Sequence, residues 1–348
     1  MPYVFGIDGG GTHSRAILMT DKGKVVFVGK GPSLNYHDIG AGQVSSTIKR
    51  LFNDALSKAH ARPDECKGVC LGLAGAGQQH DRDILQPIFN DLFGKESYLL
   101  MGDAQIALVG GTLSEIGIIV LAGTGSMVYG RNEDNVEGRV GGYGPLLSDQ
   151  GSGYHIGLEA LKMIVQYHDD MEDKPDFHDL VFNHIGVERI GDFISWVNST
   201  SATRERIASI APIVIQAANE DDPLADEILN RQADGLAKCV DALHKRLSFP
   251  ERADVVLSGG LFSDTSYFSQ MLRRKIHYFI PGANVIAPKL DAVVGAALYA
   301  LSLANVAIDE DLLDNVKRSF RECQLKSKES IQETPLAKKP EFAPEEEA

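Results

Sequence analysis

The sequence predicts an α/β protein made of two related lobes. Along the first half, apolar runs typical of strands alternate with segments whose apolar residues recur at helical spacing. A unit of strand, glycine-rich turn, strand, polar turn and strand occurs twice, over 3–28 and again over 116–140. A chain of 348 residues is long enough for two domains. We therefore expect duplicated lobes, with the chance similarity of two common glycine hairpins as the alternative.

The first lobe is expected to span 1–112, because helices and strands alternate throughout this stretch. Its strands are predicted at 3–7, 15–19, 24–28, 68–73 and 98–101, and its helices at about 44–60, 81–93 and 104–109. Pro87 lies inside the second of these helices and could kink it.

The second lobe is expected to span 113–325, and helices dominate it after residue 150. Its strands are predicted at 116–122, 127–130, 136–140, 254–257 and 285–287, and its helices at 154–168, 203–247 with a break near Pro223, 264–276 and 292–303. The polar tail at 326–348 contains three prolines and ends in consecutive glutamates, so we expect it to be disordered.

Composition and charge exclude several classes of protein. The formal net charge is −14, which argues against nucleic acid and anionic membranes as main partners. No apolar run reaches transmembrane length. The four cysteines are too few for a disulfide scaffold, and only Cys66 and Cys70 are close in sequence, with no second pair to complete a zinc site. Because no basic leader precedes the first strand, we expect a cytoplasmic protein.

The two glycine turns are the strongest candidates for phosphate binding. The first consists of Gly9, Gly10, Gly11 and Thr12, and the second of Gly123, Thr124, Gly125 and Ser126. Glycine removes the side chain that would keep an anion away and allows consecutive N–H groups to converge on a phosphate. Asp8, beside the first turn, is placed to meet a metal-bound water. The alternative is a pair of tight hairpins; neither turn has the spacing of a P-loop or precedes the helix of a dinucleotide site.

Four further sites could carry chemistry, although each also has a structural explanation. The glycine pair Gly259 and Gly260 follows a strand and could let an adenine or ribose lie on the backbone, or could serve helix packing. Asp103, between a strand and a helix, could be a general base for an acceptor hydroxyl or a helix N-cap. Asp149 could likewise be a cap, and Asn35 could be a turn former or a ligand of sugar hydroxyls.

Three glycine-containing segments, in their order along the chain, resemble the BadF/BadG/BcrA/BcrD-type ATPase family. Residues 4–12 are similar to the first phosphate motif of that family, 120–126 to its second, and 255–260 to its adenosine motif. The family is a branch of the actin, hexokinase and heat-shock-chaperone ATPase superfamily. The resemblance covers about 3–303 and implies a ribonuclease H-like fold with two lobes and a central cleft.

Two further segments resemble the amino-sugar kinases of this family, in particular the N-acetylglucosamine kinases. Residues 141–144 and 148–154 are similar to their Gly-Gly-Trp-Gly and Gly-Asp-Glu-Gly-Ser stretch. This chain has Tyr143 in place of the usual Trp and Gln150 in place of the usual Glu, which puts the identity of the sugar in doubt.

The resemblance implies a role for each candidate residue. Asp103 would be the catalytic base, and Asp8 and Asp103 would position Mg²⁺. Asp8, the two glycine turns and the glycine pair would bind ATP. The sugar would be held by Asn35, Asp103, Thr124, Gly141, Gly142, Tyr143 and Asp149.

The expected activity is ATP-dependent phosphorylation of an amino sugar, with N-acetylglucosamine and its 6-hydroxyl as the leading acceptor. Glucosamine, N-acetylmuramic acid and N-acetylmannosamine stay open as acceptors. An activator ATPase of the same family, which would need a cluster held by cysteines, and a non-catalytic sugar sensor are the rivals. Many such kinases are dimers, so the resemblance also raises a homodimer.

Overall fold

Two five-stranded mixed sheets with the same strand order form the centre of the molecule. The computed structural model describes residues 1–95, 97–263 and 266–332. The first sheet has the order β3-β2-β1-β4-β5. Its strands are β1 (Tyr3–Gly9), β2 (His13–Thr20), β3 (Val25–Pro32), β4 (Cys66–Leu73) and β5 (Tyr98–Gly102).

The second sheet repeats this arrangement, with the order β8-β7-β6-β9-β10. Its strands are β6 (Gly117–Ala122), β7 (Ser126–Arg131), β8 (Glu137–Gly141), β9 (Asp254–Ser258) and β10 (Asn284–Ile286). In each sheet three antiparallel strands form a meander, and the first of them pairs in parallel with the fourth. The duplication that the sequence predicts is therefore confirmed.

Four helices follow the strands of the first sheet. They are α1 (Tyr36–Ile39), α2 (Ala41–Ala59), α3 (Gln79–Phe93) and α4 (Asp103–Thr112). Helix α2 buries one apolar stripe, which includes Val44, Ile48 and Leu51, against the sheet. The short helix α1 was not predicted, since four residues are too few to show a helical period.

A largely helical segment lies between β8 and β9 of the second sheet. Its helices are α5 (Gly153–His168), α6 (His178–Ile185), α7 (Ile190–Val197), α8 (Arg204–Ala208), α9 (Ala211–Asn219) and α10 (Pro223–Arg246), and α11 (Tyr267–Phe279) follows β9. The predicted helical region 203–247 is thus three helices, with the last beginning at Pro223 after the side chain of Asp222 caps it. Within the described residues no helix is long and apolar enough to cross a membrane.

The last two helices return to the first sheet. Helix α12 (Ala292–Leu303) and helix α13 (Glu310–Gln332) pack in one apolar cluster with Val4, Ile17 and Val25 of the first sheet. A Cβ added at Gly6 would lie 2.6 Å from the backbone nitrogen of Ala297, so α12 lies directly on strand β1.

The last helix extends into the segment 326–348, which the sequence predicts to be a disordered tail. Helix α13 ends at Gln332. The remainder of the predicted tail, 333–348, lies outside the described residues.

Candidate active site

Two aspartates lie at the carboxyl ends of neighbouring parallel strands in the first sheet. Asp8 is level with Gly72 of β4, and Gly72 is level with Met101 of β5. Asp103 follows two residues later, as the first residue of α4. Because the ends of parallel strands meet at one edge of a sheet, the fold brings both carboxylates to the same edge.

Asp8 has a strongly perturbed carboxyl group. Burial, and then the negative charge of Asp103, raise its pKa from 3.8 to about 7, while Arg15 on the neighbouring strand acts in the opposite direction. Arg15 is in turn paired with Asp291, at 2.8 Å between Nη1 and Oδ2. The charge interaction shows that the structure brings the two predicted metal-binding carboxylates together.

Asp103 is held at the start of α4 rather than acting as its cap. Gly102 occupies the N-cap position, and Oδ1 of Asp103 accepts a hydrogen bond from the backbone nitrogen of Ala104 at 2.9 Å. Burial raises the pKa of Asp103, which leaves its carboxylate more basic than usual.

A contact from the other lobe supports the start of α4. The side-chain oxygen of Gln105 accepts a hydrogen bond from the nitrogen of Gly102 at 2.9 Å, and its nitrogen donates to Oε2 of Glu137 on β8 at 2.9 Å. Tyr129 Oη donates to the same oxygen at 2.5 Å. The sequence pattern does not indicate Glu137 or Tyr129, because only the packing of the second sheet beside α4 brings them to Gln105.

The first glycine turn is tight at its base and open at its tip. Gly10 donates from its nitrogen to the carbonyl of His13 at 3.0 Å, and the carbonyl of Gly9 accepts from Ala74 at 2.7 Å. A Cβ at Gly9 would lie 2.6 Å from the side chain of Leu73, whereas nothing lies within 4 Å of one at Gly11. Thr12 is exposed. The tip can therefore be approached by an anion from solvent.

The second glycine turn is fastened to the start of α5. Gly123 donates to the carbonyl of Gly125 at 2.9 Å and accepts from the nitrogen of Gly153 at 2.7 Å. The carbonyl of Thr124 accepts from the nitrogen of Tyr154 at 3.3 Å. Within the described ranges no hydrogen bond joins the first turn to the second.

Asp149 is neither a helix cap nor a free side chain. Ser152 is the N-cap of α5, and Asp149 has a φ of +72° and a side chain that is 3% exposed. Its Oδ2 accepts a hydrogen bond from Nη2 of Arg204 at 2.7 Å. No local pattern marks Arg204, since the partners are 55 residues apart in sequence.

Asn35 is a turn former, and its position also suits a ligand. Its Oδ1 caps α1 by accepting from the nitrogen of His37 at 3.3 Å, and its Nδ2 donates to Asp38 at 2.7 Å. A Cβ at Gly75 would lie 2.9 Å from Oδ1 of Asn35. The side chain therefore borders the loop that follows β4, beside the edge that carries Asp8.

The segment 141–144 begins at the last residue of β8 and has an unusual backbone. Gly141, Gly142 and Gly144 all have positive φ, of 78°, 72° and 91°. Tyr143 is 56% exposed, and the guanidinium of Arg139 lies 4.8 Å from the centroid of its ring. The nitrogen of Tyr143 donates to Ser148 Oγ, which bonds to Asp149, so this loop and Asp149 form one unit.

The glycine pair after β9 borders a cavity of about 340 Å³. Gly259 has a φ of +128°, and an added Cβ would clash with the carbonyl oxygen of Ala122. Gly260 lines the cavity. The other lining residues come from α9 and the segment that leads into α11: Pro212, Ile215, Gln216, Asn219, Leu261, Phe262, Ser263, Ser266 and Tyr267. The volume is within the range of small-molecule sites, and the sequence pattern did not indicate the α9 residues.

Comparison with known proteins identifies the family. A model of the BadF/BadG/BcrA/BcrD ATPase family matches residues 5–300. This chain belongs to that family. The resemblance that the sequence predicts is therefore confirmed, as is the two-lobed α/β fold that it implies.

Members and structural neighbours of the family match nearly the whole chain. An N-acetylmuramic acid/N-acetylglucosamine kinase of Clostridium acetobutylicum is 32% identical over 304 residues, which are 87% of this chain and 99% of that relative. An N-acetyl-D-glucosamine kinase of Dictyostelium discoideum is 28% identical over 85% of this chain and 97% of its own. A crystal structure from Chromobacterium violaceum, provisionally identified as an N-acetylglucosamine kinase, has a TM-score of 0.69 at 24% identity and covers 86% of this chain and 98% of its own.

ATP and Mg²⁺ suit the residues of this site. An ATPase family uses ATP. An open glycine turn and a cavity of small-molecule size are features that suit phosphates and a base. In the described part of the chain no group of three or more His, Cys, Asp or Glu residues could hold a metal alone. Mg²⁺ commonly binds through one or two carboxylates, phosphate oxygens and water, and Asp8 and Asp103 fit this arrangement.

Proposed function

We propose that this protein transfers the γ-phosphoryl group of ATP to a hydroxyl of an amino sugar, with the 6-hydroxyl of N-acetylglucosamine as the leading acceptor. The observation that carries the proposal is the partly buried carboxylate of Asp103 beside Asp8, at the sheet edge that also carries the first glycine turn. Two relatives that cover most of this chain are amino-sugar kinases by name.

Asp103 acts as the general base in this proposal. The oxygen of the sugar hydroxyl attacks the γ-phosphorus, its proton passes to the Asp103 carboxylate, and the bond to the bridging oxygen of ADP breaks. Burial raises the pKa of Asp103, and a base whose pKa is closer to neutral accepts the proton more readily. Mg²⁺, when bound, neutralises charge on the β and γ phosphates.

The other residues bind and orient the two substrates. The tip of the first glycine turn and Thr12 contact phosphate oxygens, and the second turn approaches them from the other lobe. The adenosine enters the cavity bordered by Gly260. The sugar is held by Asn35, Thr124, Gly141, Gly142, Tyr143 and Asp149. Closure of the two lobes over the cleft excludes water, which would otherwise accept the phosphoryl group.

The proposal also includes the identity of the acceptor sugar, the cellular location and the oligomeric state. Tyr143 is half-exposed among glycines that have positive φ, so the backbone proposed to surround the 2-substituent of the sugar consists largely of residues without a side chain. Glucosamine and N-acetylmuramic acid are the competing acceptors. A cytoplasmic location and a homodimer complete the proposal.

The test is ADP release from the purified protein with Mg-ATP and a panel of sugars. The panel contains N-acetylglucosamine, glucosamine, N-acetylmuramic acid, N-acetylmannosamine and glucose, with a blank that has no sugar. Release that depends on N-acetylglucosamine and is much weaker with glucose supports the proposal. Sugar-independent hydrolysis would favour an activator ATPase instead, and sugar binding without ADP release would favour a sensor.

Asp103→Asn tests the mechanism in the same assay. Loss of the general base should lower kcat by about 10²- to 10⁴-fold, while the circular dichroism spectrum stays unchanged. A variant with a kcat close to that of the wild type would show that Asp103 is not the base.

A further inference from the structure

Arg204 is a cationic side chain beside the second glycine turn. It is the first residue of α8, and its Nη2 donates to Oδ2 of Asp149 at 2.7 Å. A Cβ built on Gly125 would lie 2.5 Å from Nη2 of Arg204 and 2.9 Å from Oδ2 of Asp149. The ion pair therefore packs directly on the glycine turn, and glycine at position 125 makes room for it.

Asp149 is fixed from two sides by this arrangement. Its Oδ1 accepts from Ser148 Oγ at 3.0 Å, and its Oδ2 accepts from Arg204. Its side chain is only 3% exposed, and Arg204 is the one cation paired with it among the described residues. A carboxylate has about four lone-pair positions, so two are left after these two donors.

The geometry at Arg204 favours orientation over simple neutralisation. A guanidinium is planar and always charged, and its N–H groups point in fixed directions, unlike the freely rotating ammonium of lysine. Its side chain is 40% exposed, so its remaining donors are open to solvent. The cation therefore holds a buried carboxylate in place while it stays hydrated itself.

We propose that Arg204 is a positioning residue for the acceptor sugar. It fixes the plane of the Asp149 carboxylate, so that the two remaining lone-pair positions receive sugar hydroxyls. This inference rests on the proposed function, because it assigns Asp149 to the sugar. Its consequence is specific: loss of Arg204 should weaken sugar binding more than nucleotide binding.

The experiment compares Arg204→Met, Arg204→Lys and a matched control, Arg206→Met. Arg206 is on the same short helix and is exposed, but it donates to Ser201 and lies over the ring of Trp196 instead of pairing with Asp149. The readouts are the KM for N-acetylglucosamine, kcat, and the Kd of ADP from direct titration, each measured on protein whose thermal unfolding has been checked.

We expect Arg204→Met to raise the sugar KM by about 10- to 100-fold, the effect of losing a charge-assisted hydrogen bond, with the Kd of ADP changed less than about threefold. Arg204→Lys should recover part of the loss, because it restores the charge without the planar geometry. Arg206→Met should leave all three values near those of the wild type.

Three outcomes would overturn the inference. If Arg204→Met weakens ADP binding and leaves the sugar KM unchanged, Arg204 is a phosphate ligand. If neither value changes, the ion pair has no part in binding. If Arg204→Met does not fold, Arg204→Lys and the double variant with Asp149→Asn take its place in the experiment. A sugar KM of Arg204→Lys equal to that of the wild type excludes the positioning role. If the wild-type protein phosphorylates no amino sugar, the proposed function itself is refuted. The wild-type assay gives this result before any variant is made.

Discussion

Helix α4, which presents Asp103, packs so closely on the start of α12 that one added methyl group should disturb both stability and catalysis. In Gly110→Ala the new Cβ would lie 2.6 Å from the carbonyl oxygen of Asp291 and 3.0 Å from the carbonyl oxygen of Leu290. Ordinary contacts begin at about 3.4 Å, so the backbone segments must separate by about 0.8 Å. Backbone atoms cannot rotate away as a side chain would.

The expected cost follows from this overlap. Overpacking of this kind costs about 1–3 kcal/mol, offset by up to about 1 kcal/mol from the better helix propensity of alanine. Because a displacement of about 1 Å at a reacting group can cost about 10²-fold in rate, kcat should fall by at least about tenfold. The matched control is Gly42→Ala in α2, where nothing lies within 4 Å of the added Cβ.

Urea unfolding and the ADP-release assay measure the two effects. Gly110→Ala should have a free energy of unfolding about 1–3 kcal/mol below that of Gly42→Ala, with the slope against urea concentration unchanged. Equal stability of the two variants, together with a normal kcat for Gly110→Ala, would refute the reasoning that the contact between α4 and Asp291 is too close for a Cβ.

Two further predictions concern Asp8 and the glycine pair. Without metal or nucleotide, Asp8→Asn should become more stable than the wild type as pH rises. The pKa of Asp8 is about 7 in the folded protein, against the ordinary value of 3.8. The folded wild type is therefore fully stable below about pH 4 and loses stability as pH increases through 7. The difference in free energy of unfolding between the variant and the wild type should be at most about 4 kcal/mol, and smaller to the extent that water reaches Asp8. Urea unfolding in a chelating buffer measures this difference. A difference that is constant from about pH 5 to 8.5 contradicts the prediction. Gly259→Ala should lower the unfolding temperature and weaken ADP binding, because the positive φ of Gly259 and the carbonyl of Ala122 leave no place for a Cβ. Gly260→Ala has open space at that position and should unfold like the wild type. Calorimetry and ADP titration measure these effects, and the same behaviour in both variants would count against this explanation.

Most strands and helices could be predicted because their local patterns are strong. The apolar run ending at Asp8 is β1, and the segment 292–303 is α12 with the expected bounds. The short helices α6 and α7 were missed, because eight residues show barely two turns of periodicity. The disorder that the sequence predicts from residue 326 stays a prediction, because α13 extends to Gln332 and 333–348 lie outside the described residues.

The candidate site was predicted only as far as sequence motifs reach. Asp8, Asp103 and the two glycine turns stand out because strands end at them. Arg204 and Glu137 carry no such signal, and they become part of the site through contacts between segments far apart in sequence.

The sequence by itself determined the duplicated α/β plan, the family and the positions of the glycine turns, since all of these depend on residues that are neighbours along the chain. The tertiary structure alone decided which carboxylates share a sheet edge, that α12 and α13 pack on the first sheet, and that Asp149 is buried against an arginine. The physical reason is range: hydrogen-bonded turns and apolar periodicity are local, whereas desolvation and charge pairing depend on what the folded chain brings from elsewhere.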